Sequence, residues 1–84
     1  MIKIKNNAAE VNGKRMGLYY FIVYAYERLQ PLESFLQIDS TYRHKYRIVK
    51  DVATTGAARL RTDNLPYVAS LAQFLLEDNA SLLR

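Results

Sequence analysis

Apolar and charged positions alternate from the start of the chain, Ile2 and Ile4 against Lys3 and Lys5, which is the period of a strand with one buried face. Asn12-Gly13 follows as a two-residue hairpin turn, because both central residues of a type I′ turn need positive φ, which Asn tolerates and Gly adopts freely. A turn there sets Glu10 opposite Arg15 and Ile4 opposite Phe21, a charge pair and an apolar pair.

Leu18 to Tyr26 is dense in aromatic and β-branched residues and reads as the second strand. The same stretch carries Leu18, Phe21, Ile22, Ala25 and Leu29 at helical spacing, and a helix there would shrink the first hairpin to a short N-terminal element. Pro31, placed to begin a helix, precedes Leu32, Phe35 and Leu36 on one side, giving a short helix over 31–39 that Ser40 breaks.

Alternation resumes over 41–52, with Tyr42, His44, Tyr46 and Ile48 on one face and Arg43, Lys45, Arg47 and Val49 on the other. Thr54-Thr55-Gly56 then forms a hairpin loop, and 57–62 returns as a fourth strand that sets Asp51 across from Arg59 and Arg47 across from Asp63. Asp63 or Asn64 caps a last helix, Pro66 falls in its first turn, and Val68, Leu71, Ala72, Leu75 and Leu76 form its apolar stripe to about Asp78. The expected fold is α+β, a four-stranded antiparallel sheet with two helices on one face in the order ββαββα.

Composition narrows the class. At 84 residues, half of them hydrophobic, the chain makes one folded domain over 1–84. Cysteine is absent, so neither a disulfide framework nor a thiolate zinc site contributes. The N-terminus lacks a secretory h-region and no apolar run is long enough to span a bilayer, which points to a cytoplasmic protein without a membrane partner.

Little in the chain suggests catalysis. His44 is the single histidine and reads as a partly buried structural residue between Tyr42 and Tyr46; no metal-ligand spacing accompanies it, and the serines sit in no nucleophile-elbow context. Gly13, Gly17 and Gly56 are too scattered for a phosphate-binding loop. The expectation is a non-enzyme with no cofactor and no metal.

Charge supplies the remaining signal. Net charge is +4, and residues 1–50 hold nine Lys/Arg against four Asp/Glu while 51–84 hold three against four. Read as a strand, 41–52 points Arg43, Lys45 and Arg47 in one direction about 6.6 Å apart, with Tyr42 and Tyr46 beside them as stacking surfaces and Arg61 on the fourth strand completing the contact set. The expected function is a small binding module that docks on nucleic acid or a nucleoprotein complex. The competing account is an ordinary charged outer sheet face over a tyrosine core.

Seven tyrosines support a different partner class, since Tyr and Arg concentrate at the centres of protein interfaces. On that reading the chain is an inhibitor or adaptor, of the kind a phage or mobile element encodes, that masks an acidic functional surface of a host nucleic-acid enzyme. Leu75, Leu76, Leu82 and Leu83 further suggest a homodimer through the C-terminal helix.

Overall fold

In a computed structural model that describes residues 2–5, 7–55 and 64–83, the chain begins with a three-stranded antiparallel sheet and continues in helices. The strands are β1 (Ile2–Lys5), β2 (Ala8–Val11) and β3 (Lys14–Gly17), in spatial order β1-β2-β3. The helices are α1 (Leu18–Leu29), a 3-10 turn with the one-turn α2 (Gln30–Leu32 and Glu33–Leu36), α3 (Ser40–Thr55) and α4 (Leu65–Asp78), followed by a 3-10 turn at Ala80–Leu82.

The fold is α+β as expected, but it has three strands and three full-length helices among the described residues, rather than four strands and two helices. The Asn12-Gly13 turn forms as predicted, with φ of 51° and 87°, and it places Glu10 opposite Arg15. The pairing of Ile4 with Phe21 does not occur. Ile4 pairs with Ala9, because the chain turns at Asn7 and folds the first predicted strand back on itself as β1 and β2.

The stretch 18–29 is the helix α1, and the five residues at helical spacing, Leu18, Phe21, Ile22, Ala25 and Leu29, are the ones it buries. Burial of a whole apolar stripe outweighs the modest β preference of its tyrosines and valine. The predicted helix over 31–39 shrinks to the 3-10 turn and α2, with Leu36 its one fully buried anchor.

The predicted strand over 41–52 is instead α3. Its first turn is capped by Asp39, whose carboxylate accepts from the backbone N–H of Thr41 at 2.8 Å and Tyr42 at 3.4 Å. Thr54 and Thr55 belong to this helix and not to a hairpin loop, and their hydroxyls bond back to Lys50 and Asp51 carbonyls. The proposed fourth strand at 57–62, with its pairings to Arg59 and Asp63, lies outside the described residues.

The last helix was legible. α4 starts after Asn64, which makes no side-chain capping bond, while Asp63 lies outside the described residues; it carries Pro66 in its first turn and buries Val68, Ala69, Leu71, Ala72, Leu75 and Leu76. Of the leucines expected at a dimer contact, Leu75 and Leu76 face this molecule's own core, Leu83 is partly buried and Leu82 is exposed. Asn79 ends α4 by donating from Nδ2 to the Leu75 carbonyl at 2.9 Å.

α1 and α4 pack on one another, the sheet lays Ile2, Ile4, Ala9, Val11 and Met16 against them, and α3 covers another side of the same pair. Gln73 on α4 donates to the Ile2 carbonyl at 2.9 Å and thereby occupies part of the edge of β1.

Gly13 gives a clean test of the hairpin. A Cβ added there meets no atom within 4 Å, so Gly13→Ala acts through backbone strain alone at φ +87°. We expect a loss of about 1 kcal/mol, measured by chemical denaturation, with the helical far-UV signal unchanged.

Candidate functional site

Helical geometry redistributes the residues expected to share one strand face. Residues two apart on a strand point the same way, whereas on a helix they diverge by about 200°. Arg43 and Arg47, four apart, remain together on the exposed side of α3, and Lys50 extends them into a stripe. Lys45 leaves that face. Its ammonium lies over the Phe74 ring on α4, 5.4 Å from the centroid.

The two tyrosines turn inward rather than offering stacking surfaces. Tyr46 is 2% exposed, stacks on Tyr26 of α1 with centroids 6.1 Å apart, and donates its hydroxyl to Glu33 Oε1 at 2.8 Å. Tyr42 is half-buried against Phe74 and donates to Asp78 at the end of α4. His44, expected to be partly buried between these tyrosines, stands exposed on the solvent side of α3. Arg61 lies outside the described residues.

The stripe borders a shallow groove between α2 and α3, lined by Gln37, Arg43, Tyr46, Arg47, Lys50 and Asp51. Three cations meet Asp51 on the same helix there, and Glu33 borders them from α2. Arg43 reaches the Gln37 carbonyl at 3.5 Å, and Lys50 sits 3.7 Å from Glu33 Oε1 at the surface. Arg47 makes no hydrogen bond or ion pair with a described residue, even though Asp51 follows one turn later. From Arg43 to Lys50 the stripe rises about 10 Å along the helix, roughly the rise of three phosphates on one nucleic-acid strand.

Glu33 joins this surface to the interior. It accepts from Tyr46 through Oε1 and from Gln37 Nε2 through Oε2 at 3.3 Å, while Lys50 approaches from the rim. Burial, and secondarily the Glu33 hydrogen bond, push the Tyr46 phenol well above its ordinary value. At Tyr42 the bond to Asp78 is the first cause of a rise in the same direction, with burial second.

A second charged surface, missed in the sequence, lies on the outer face of the sheet, where Lys3, Lys5, Glu10 and Arg15 surround Ala8. Its signal was present in the Lys3/Lys5 alternation and the Glu10–Arg15 register. The expected cationic face at 41–52 belongs to a helix, and the charged sheet face lies here instead.

Among the described residues no group of His, Asp and Glu is arranged to hold a metal ion, and no helix is long and apolar enough to cross a membrane. No protein-family model, curated protein or solved structure matches the chain.

The Tyr46 phenol makes stability sensitive to alkali. Its folded pKa lies above the unfolded value of 10.0, so the folded chain holds the proton more tightly, and the stabilisation, complete below that value, is lost as pH rises beyond it. We expect the denaturation midpoint to fall above about pH 10, and the Tyr46→Phe variant to show a shallower fall when the two are titrated side by side.

Proposed function

We propose that this chain is a non-enzymatic cytoplasmic binding module whose partner is nucleic acid or a nucleoprotein complex, engaged through the Arg43–Arg47–Lys50 stripe of α3. The observation that carries this reading is the alignment of three cations along one helix face on which Asp51 is the one carboxylate, with Glu33 meeting Lys50 from α2. Guanidinium forks at Arg43 and Arg47 suit phosphate oxygens, and Arg47 needs to break no bond to a described residue in order to meet one.

A specific observation also favours a protein partner. Tyr67 is 57% exposed and Phe74 38% exposed two turns apart on α4, with Lys45 over the Phe74 ring, a combination of aromatic and cationic surface found at interface centres. On this second reading the chain masks an acidic surface of a nucleic-acid enzyme.

Salt dependence separates the two. Binding to a labelled nucleic-acid probe should weaken steeply with salt, and the combined variant Arg43→Ala, Arg47→Ala, Lys50→Ala should reduce the slope of log K against log salt by about 2 to 3. Absence of binding at low salt removes the nucleic-acid reading. A nuclease-resistant complex that Tyr67→Ala with Phe74→Ala weakens more than the triple charge variant supports the protein reading instead.

A further inference from the structure

The sheet has an outer face that no described element covers, and its register arranges charge in rows. Lys3, Glu10 and Arg15 lie directly across from one another on β1, β2 and β3, and Lys5, Ala8 and Gly17 form the next row. With neighbouring strands about 4.8 Å apart, the two cations of the first row stand about 10 Å apart on either side of the carboxylate, and Lys3 and Lys5 are separated by about 6.6 Å along β1. All four charged side chains are exposed, and none forms an ion pair with a described residue. Three cations thus meet one anion on a face whose floor, Ala8 and Gly17, is small enough for close approach.

We infer that this face docks into the major groove of duplex DNA, with the Lys3–Glu10–Arg15 row directed at base edges. The inference rests on nucleic acid being the partner, but uses a surface separate from α3. Charge favours a polyanion, and the long side chains of Lys3 and Arg15, based on outer strands about 10 Å apart, can reach from the sheet face into a groove about 12 Å wide. A uniformly acidic surface would be opposed by a carboxylate held at the centre of the row. Base edges are not uniform: guanine offers acceptors suited to Lys and Arg, and cytosine N4 offers a donor suited to Glu.

Other nucleic acids fit less well. The major groove of duplex RNA is too deep and narrow for side chains to read. Single strands are held by stacking successive bases on aromatic rings, and this face has one ring at its margin, Tyr20, which is 71% exposed beside Gly17.

The test compares the full chain with two variants, Lys3→Ala, Lys5→Ala, Arg15→Ala on the sheet and Arg43→Ala, Arg47→Ala, Lys50→Ala on α3, binding one sequence as duplex DNA, duplex RNA and single strand. The expected result is a preference of the native chain for duplex DNA, a loss of about tenfold or more for the sheet variant on that probe, and protection of guanine N7 from methylation in the native complex. Glu10→Gln should change which duplexes are selected from a randomised pool. The inference is overturned if the sheet variant binds duplex DNA like the native chain, or if guanine N7 stays fully reactive in the complex. When only the α3 variant loses binding, the α3 reading survives and this one does not; the reverse pattern keeps this one and removes the α3 stripe; no binding by the native chain at low salt removes both. The N7 measurement uses the native protein, so full reactivity overturns the inference even where a variant fails to fold, while the two variants assign any protection to the sheet or to α3.

Discussion

The close contact of α1 with α4 is the constraint on which the rest of this small structure depends. Ala25 on α1 and Ala69 and Ala72 on α4 are fully buried, and such small side chains let two helices approach while Phe21, Ile22, Leu29 and Leu75 fill the space around them. Neither helix can complete its burial alone. The sheet supplies a cover from Ile2, Ile4, Ala9, Val11 and Met16, and α3 supplies another from Tyr46, Val49 and Val52. Both covers are one-sided elements, so each must turn a polar face to water, and the basic surplus of the first fifty residues comes to lie on those faces.

What the sequence disclosed follows from how local each signal is. The Asn12-Gly13 turn and the start of α4 at Asn64 and Pro66 depend on φ preferences within two or three residues, and both were readable. The segments 18–29 and 41–52 satisfy two periods at once, and only burial in three dimensions chooses between them. For α1, the helical set of five residues accounted for every position the helix buries, whereas the strand reading relied on residue preference. For α3, a strand would have left Val49 among the cations. A helix places Tyr42, Tyr46, Val49 and Ala53 on one side, and Asp39 stands where an N-cap belongs.

That change of period altered the candidate surface without erasing its charge. Arg43 and Arg47 survive as neighbours because four residues is close to one helical turn, Lys45 is carried round to Phe74, and Lys50 takes the place it vacates. Tyrosines that seemed available for stacking became the means by which α3 is fastened, Tyr42 to α4 and Tyr46 to α1 and α2. Aromatic richness in this segment therefore reflects packing, and the exposed aromatic surface lies elsewhere, at Tyr20 on α1, Phe35 on α2, and Tyr67 and Phe74 on α4.

Glu33 links the fastening of α3 to the surface proposed for binding. Its carboxylate holds the Tyr46 hydroxyl at a part-buried bond, while its link to Lys50 is a long, exposed ion pair of a kind worth about 0 to 1 kcal/mol. On the proposed reading, an arriving phosphate would compete with Glu33 for Lys50 at little cost in stability. Glu33 would then keep Tyr46 and Gln37, so α2 and α3 would stay joined while the ammonium turned outward. The strong interactions of α3 point inward and its weak ones outward, so the proposed exchange of one anionic partner for another at the stripe would not require the scaffold to rearrange.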